Sequence, residues 1–126
     1  MQVRTLLTLV VIICLMSCAS MDLRLDKLPG PAYGEYKPRV QCDKIEVYQN
    51  EKPSRPYIVI AKYIVQEEPT VLTSHSSSEM VVYAGKRACE DGADAIIIEN
   101  FDVVNVPGGY ARQTPKVTIV GIRYRN

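Results

Sequence analysis

The sequence lacks several patterns that would point to a catalytic or nucleic-acid-binding protein. Its 126 residues include no tryptophan, one phenylalanine and one histidine, and 15 lysines and arginines are balanced by 14 aspartates and glutamates. Because there is no surplus of positive charge to attract phosphates, we expect no nucleic-acid partner. There is no Cys-x-x-Cys pair of the kind that binds zinc and no Gly-x-Ser-x-Gly turn of a hydrolase, so neither kind of site is indicated.

The single histidine, His75, lies in a cluster of serines before a predicted helix. A serine and a histidine that are neighbours in one loop do not by themselves form a nucleophile and its base. Asp91, Asp94 and Glu99 do not suggest an acid–base pair either. We therefore predict no catalytic residue, no metal site, no cofactor and no enzymatic activity, and we expect His75 to be solvated.

The sequence also lacks an apolar run long enough to cross a bilayer. The longest run, residues 6–16, is shorter than the about 20 residues that a membrane-spanning helix needs. Arg4 precedes this run, and a basic residue followed by a short apolar segment is typical of a secretory signal peptide. We predict that residues 1–17 are a signal peptide.

Leu15, Met16 and Ser17 precede Cys18 at the end of this segment. This resembles the lipobox of bacterial lipoproteins. The resemblance implies that Cys18 receives a diacylglyceryl group, that signal peptidase II cuts before it, and that the new amine is acylated with a fatty acid such as palmitate. Multiple acyl chains hold a protein firmly on a bilayer. In a chain that begins at Cys18, the second residue is Ala19 and not Asp. In enteric-type bacteria this resembles lipoproteins sorted to the outer membrane, which would place the domain in the periplasm. If the organism has a single membrane, the domain would lie on the cell surface.

Residues 18–39 are predicted to form a lipidated, flexible tether. Residues 21–28 alternate apolar and charged side chains, which fits either a short strand or a disordered arm, and residues 29–31 (Pro-Gly-Pro) break regular structure. An extended chain spans about 3.3–3.6 Å per residue. We therefore expect a reach of several tens of ångströms, which would let the domain stand off the bilayer.

Residues 40–126 predict a small α+β domain of order β-β-α-β-β, with a small sheet and one covering helix. The helix should begin at Ser76, which with Glu79 fits a capping box, and end near Asp91, with Gly92 as its left-handed cap. Alternating or continuous apolar residues predict the strands. These are residues 40–48, 57–65, 95–104 and 117–125.

After processing, two thiols remain, Cys42 and Cys89. In a small domain outside the cytoplasm, such a pair is most simply interpreted as a disulfide. A bond that closes a loop of about 48 residues should stabilise the domain by about 4 kcal/mol. Two buried free thiols, and a metal or redox site that also uses His75, are the alternatives.

Eight tyrosines stand against one phenylalanine. Tyrosine combines an apolar body with a polar tip and is common at protein interfaces. Several tyrosines would also fit the edge of a core, but Tyr33, Tyr36 and Tyr110 lie in segments rich in glycine and proline. We predict these three as contacts to a partner.

Residues 55–61, 88–97 and 117–124 together resemble two related kinds of small bacterial domain. One is the outer-membrane stress-sensor lipoprotein of the Rcs phosphorelay, and the other is a small-domain family labelled heavy-metal-binding. The resemblance implies the α+β fold and a sensing role in the envelope. The stress-sensor domains carry two disulfides, whereas this chain allows one.

The sequence thus favours a membrane-anchored envelope lipoprotein that acts as a non-enzymatic binding or sensing module. Its expected partners are the lipid bilayer, through the acylated Cys18, and another envelope protein. A structural lipoprotein that tethers an envelope assembly is the second hypothesis. A metal-binding or redox lipoprotein that uses Cys42, Cys89 and His75 is the third.

Overall fold

The computed structural model describes residues 23–68, 75–106 and 112–126. These residues form a small α+β domain, as predicted, in which one helix packs on one sheet. The elements in chain order are β1 (Leu23–Pro29), a 3-10 turn (Cys42–Lys44), β2 (Glu46–Gln49), β3 (Tyr57–Glu67), α1 (Ser77–Glu90), β4 (Ala95–Val106) and β5 (Arg112–Tyr124). The predicted signal peptide, Cys18 and Tyr110 lie outside the described residues.

The sheet has five strands in the order β1-β3-β5-β4-β2. Neighbouring strands are antiparallel except for the parallel pair β2 and β4, and bulges interrupt β3 after Val59 and β4 after Ile98. Strands β3, β4 and β5 are rich in β-branched residues, which suit a pleated surface, and they match three predicted strands. The apolar run of β4 indicates a central strand. It has a neighbour on each side, although β5 is the middle strand.

Helix α1 begins and ends where the capping residues predict. The Glu79 backbone N–H donates a hydrogen bond to Ser76 Oγ at 3.2 Å, which satisfies a donor that the first helical turn leaves free. Gly92 has a φ of +102°, a left-handed conformation that favours glycine. The buried side of the helix carries Met80, Val81, Ala84, Gly85, Ala88 and Cys89.

The main core lies between α1 and the sheet. Tyr63, Val65 and Ile119 are fully buried there, and burying an apolar side chain of this size contributes about 1.5–3 kcal/mol. A smaller buried cluster lies on the opposite face of the sheet and includes Ile122. No helix among the described residues is long and apolar enough to cross a membrane.

The first strand corrects the predicted boundary between tether and domain. Residues 23–29, assigned by sequence to the flexible tether, form β1 and pair with β3 along the whole strand, from Leu23 opposite Glu67 to Pro29 opposite Ala61. The alternation of apolar and charged residues therefore reflects a strand with one buried face. The sheet has five strands instead of the four expected, and the domain starts at Leu23.

The segment after β1 is also attached to the domain. The backbone N–H groups of Gly30 and Ala32 donate hydrogen bonds to carbonyls of β3 at 3.0 Å, and Arg39 forms an ion pair with Asp94. Sequence reasoning took the prolines and glycines here as a sign of flexibility. They instead allow an irregular path whose contacts come from distant parts of the chain.

The predicted strand over residues 40–48 is only partly correct. Its first half is the 3-10 turn at Cys42–Lys44, and strand pairing begins at Glu46 and ends at Gln49. A disulfide joins Cys42, near the start of this segment, to Cys89 of α1. The backbone at Cys42 forms the turn and not an extended strand.

Candidate functional site

The two ends of the sheet differ in what they expose, and we name each by one residue. The Leu23 end is where β1 starts, β3 ends at Glu67 and α1 begins. The Tyr124 end is where β3 and β4 start, β5 ends, and α1 reaches its last turn.

A disulfide joins Cys42 to Cys89, with 5.3 Å between their Cα atoms. It attaches the 3-10 turn to the last turn of α1 at the Tyr124 end. The predicted pairing is confirmed, and the alternative of two free thiols is wrong.

The metal hypothesis required Cys42, Cys89 and His75 together. The disulfide occupies both sulfur atoms, and His75 precedes α1 while Cys89 lies in its last turn. At 1.5 Å per helical residue, about 20 Å of helix separates them. In the part of the chain that the structure describes, no three His, Cys, Asp or Glu residues form a cluster that could hold a metal ion.

A polar groove of about 380 Å³ lies between β1 and the end of α1, toward the Tyr124 end. We call it the tyrosine groove, because two of the three predicted contact tyrosines line it. Its lining residues are Lys27, Tyr33, Gly34, Glu35, Tyr36, Lys37, Glu90 and Asp91.

Asp91 organises the charges of the tyrosine groove. Its carboxylate accepts a hydrogen bond from the Tyr63 hydroxyl at 2.7 Å and forms ion pairs with Lys27 at 3.0 Å and Arg87 at 3.7 Å. Burial raises the pKa of Asp91, but the hydrogen bond from Tyr63 and the contact with Lys27 outweigh it and hold the pKa below its usual range. Asp91 is therefore ionised at neutral pH.

Tyr63 keeps its proton in the same arrangement. Burial and the hydrogen bond to Asp91 both raise the pKa of the Tyr63 hydroxyl. The pair thus consists of a fixed donor and a fixed acceptor, and it contains no group ready to exchange a proton near neutral pH. This geometry suits the support of a binding surface.

The two groove tyrosines have different surroundings. The Tyr36 hydroxyl donates to the Ala32 carbonyl at 2.8 Å, and the Arg123 guanidinium lies 4.8 Å from the centre of its ring. A Cβ atom at Gly92 would lie 2.2 Å from Tyr36 Cβ, so Gly92 is needed for contact as well as for its φ. Tyr36 is thus part of the framework.

Tyr33 is the aromatic residue of the groove that remains available. It is 57% exposed, and the Lys27 ammonium lies 5.0 Å from its ring centre, within the range of a cation–π contact. Among the described predicted contacts, Tyr33 is therefore the more exposed one.

A second polar cluster at the Tyr124 end involves buried Asp94. Its carboxylate accepts hydrogen bonds from Arg39 Nε at 3.1 Å, from Arg39 Nη2, and from the Tyr124 backbone N–H at 2.8 Å. Arg39 also donates to the Tyr124 carbonyl at 2.9 Å. This fork connects the segment after β1 to the last strand. Sequence reasoning assigned Asp94 only to a turn, because its partner lies 55 residues away.

Tyrosines and a carboxylate extend this cluster along the opposite face. The Tyr48 hydroxyl donates to Glu46 and lies 2.9 Å from the Tyr124 hydroxyl, and the Arg55 guanidinium lies 4.1 Å from the Tyr124 ring centre. The hydrogen bond to Glu46 raises the pKa of Tyr48, so this hydroxyl also keeps its proton. The arrangement connects β2 to β5 and to the segment before β3.

His75 is less solvated than predicted. Its backbone N–H donates to the buried Glu67 carboxylate, and its imidazole Nδ1 lies 3.5 Å from Glu67 Oε1. The neighbouring Ser76 hydroxyl caps α1. The residues that suggested a nucleophile and a base are thus engaged in connecting β3 to the helix.

The Leu23 end exposes apolar side chains that sequence reasoning did not single out. Phe101 is 43% exposed and Val103 is 59% exposed, and we call these two residues the Phe101 patch. Phe101 is paired with Val117, and Val117 with Val65, so the patch lies on the sheet face that α1 covers elsewhere. The alternation of Phe101, Asp102 and Val103 was the available signal, but sequence does not show where the helix stops covering the strand.

Neither a protein-family model nor a curated protein matches the chain. Among solved structures, the crystal structure of the Francisella virulence factor FvfA is similar to this chain. The two share 17% identity with a TM-score of 0.45, over 83% of this chain and 100% of the other.

Proposed function

We propose that this chain is a membrane-anchored envelope lipoprotein whose domain acts as a non-enzymatic binding or sensing module for another envelope protein. The anchor is Cys18, with the signal peptide over residues 1–17. The lipobox-like residues before Cys18 support the anchor. The disulfide supports an oxidising compartment outside the cytoplasm.

The main support for the binding role is the tyrosine groove. Exposed tyrosine is enriched at protein interfaces, where polar side chains form the rim around the central contacts. The groove is also supported rigidly, because the disulfide fixes the end of α1, and the contacts of Asp91 with Tyr63 and Lys27 attach this end to β3 and β1. A surface that is already ordered loses less entropy when a partner binds.

The proposed location is the outer membrane, with the domain in the periplasm, or the cell surface if there is a single membrane. The absence of Asp at the second position after the anchor supports outer-membrane sorting. The tyrosine groove lies away from the end of the sheet that follows Cys18. It would therefore face the aqueous compartment, where a protein partner is accessible.

Crosslinking in intact cells tests the binding role. A photoreactive phenylalanine analogue in place of Tyr33 should give one or a few discrete adducts with an envelope protein. The matched control places the analogue at Lys86, which is exposed on α1 outside the groove, and we expect no such adduct there. Identical adducts at both positions, or none at Tyr33 in correctly localised protein, would contradict the proposal. A stoichiometric adduct with an abundant structural component would favour the tethering role.

A further inference from the structure

We propose that the Phe101 patch is a membrane contact, which places Phe101 and Val103 in the interface of the same bilayer that holds the lipid on Cys18. This inference rests on the proposed function, because it requires a lipid-anchored chain. It adds an orientation: the Leu23 end faces the lipid and the Tyr124 end faces the partner.

The short chain between the anchor and the sheet limits how far the domain can lie from the bilayer. Strand β1 begins at Leu23, so only residues 19–22 separate it from Cys18. Five residue steps of at most about 3.6 Å span about 18 Å. The polar region of one leaflet is itself several ångströms thick. The domain therefore cannot stand far from the bilayer, and the Leu23 end is the part held close to it.

The strand register places the Phe101 patch at the same end of the sheet as the start of β1. Leu25 is opposite Val65, Val65 is opposite Val117, and Val117 is opposite Phe101. The patch is thus level with the first residues of β1, three strand spacings or about 14 Å across the sheet.

The β4–β5 pair also extends beyond the start of β1. Val103 is opposite Pro115, and pairing continues for three more rows to Val106 opposite Arg112. At about 3.3 Å per residue, these rows project about 10 Å past Leu23. The strands that carry the patch therefore project in the direction from which the anchored chain arrives.

The charged residues level with the patch favour an apolar contact over an electrostatic one. Asp102 on β4 is opposite Lys116 on β5, and on β1 Arg24 lies 3.5 Å from Asp26. These residues alternate along their strands with Val103 and Leu25, so they lie on the sheet face opposite the patch. Each is also next to an opposite charge, so they give no net attraction to anionic headgroups. Phenylalanine, by contrast, is a residue that interfacial segments bury among acyl chains.

The absence of tryptophan provides a clean probe for the test. Phe101→Trp in the full-length, lipidated protein would be the only tryptophan of the chain. Val47→Trp is the matched control, because Val47 is also an exposed apolar residue, at 45%, and is paired with Ile96 toward the other end of β4. Both proteins would be reconstituted in phosphatidylcholine vesicles, with and without brominated acyl chains.

Brominated lipid should quench Phe101→Trp at least threefold more strongly than Val47→Trp, and the emission of Phe101→Trp should shift to the blue. Because the contact is apolar, the quenching should not change in high salt. Ten Gly/Ser residues inserted after Ser20 should reduce it, since the patch would no longer be held at the surface.

The outcomes separate this inference from the proposed function. If the protein floats with the vesicles but Phe101→Trp is quenched no more than Val47→Trp, the membrane contact is wrong while the anchor stands. If the protein neither floats nor carries lipid, the proposed function fails first. A blue shift that needs an added envelope protein, or that grows with protein concentration without vesicles, would assign the patch to a protein partner or a second copy instead.

Discussion

The two ends of the sheet are built from different interactions. At the Tyr124 end, a disulfide, the half-buried Arg39–Asp94 fork and the cation–π contact of Arg55 hold the elements in place. At the Leu23 end, the sheet presents two exposed apolar side chains on one face of β4, Phe101 and Val103, whereas the exposed Val47 toward the Tyr124 end lies on the edge strand β2.

This difference matches the demands of the two proposed surroundings. Recognition of one protein in water needs side chains held in fixed positions, and the specific polar contacts of the Tyr124 end supply that order. A bilayer has no fixed partner groups, so contact with it needs apolar area and little else. The contacts of the Tyr124 end can be removed one at a time to test this comparison.

Loss of the disulfide should have the largest effect on the Tyr124 end. Either Cys42→Ser or Cys89→Ser should destabilise the domain by about 4 kcal/mol, because the unfolded chain regains the freedom of a closed loop of about 48 residues. Thermal unfolding of a domain this size would then shift down by about 15 °C or more.

The double variant distinguishes one bond from two separate buried thiols. It should be little less stable than either single variant, because both changes remove the same bond. Additive losses, or thiols that react in the native protein without a reductant, would contradict the disulfide.

Removal of the Asp94 charge should have the next largest effect. Asp94→Asn leaves Arg39 without its ionic partner, and breaking such a pair costs several kcal/mol when it is fully buried. Because the Arg39 side chain is 34% exposed, we expect about 2 kcal/mol, measured by urea unfolding. Asp102→Asn at the Leu23 end is the control and should change stability by less than about 0.5 kcal/mol. Equal losses in the two variants would remove the contrast between the ends.

The smallest effect should be a pH dependence carried by Asp91. Its pKa is lowered in the folded protein, so it stabilises the fold above its unfolded pKa of about 3.9, and this contribution is lost as the pH falls through and below that value. Between about pH 5 and pH 3, Asp91→Asn should lose less unfolding free energy than the wild type does. The difference should be below about 1 kcal/mol, since the carboxylate is partly exposed. Unchanged pH dependence in the variant would mean that the contacts of Lys27 and Tyr63 do not hold this charge.

The parts of the fold that were predictable from sequence depend on local chemistry. Ser76 and Gly92 mark the ends of α1 because their roles involve backbone groups within a few residues, and β3 is evident from its own β-branched residues. The disulfide was predictable because the proposed processing, which removes Cys14 and places lipid on Cys18, leaves only Cys42 and Cys89 to pair.

The parts that were not predictable depend on distant partners. The alternation in β1 fits a strand or an arm until Leu23 is seen opposite Glu67, and Asp94 gives no sign of Arg39, which lies 55 residues away. Tyr33 and Tyr36 share one segment, yet Tyr36 packs against Gly92 and is partly buried, whereas Tyr33 is exposed. The exposure of Phe101 likewise depends on where α1 lies over the sheet.

The measurement that tests the account most directly is the chemical state of Cys18 in protein taken from its native envelope. Intact mass should show a chain that begins at Cys18 and carries acyl chains, and a palmitate analogue should label the wild type but not Cys18→Ala, which should be unprocessed or soluble. Equal labelling of the two proteins, or a wild-type chain that retains residues 1–17 without lipid, would contradict the anchor and with it the assignment of the Leu23 end to the membrane.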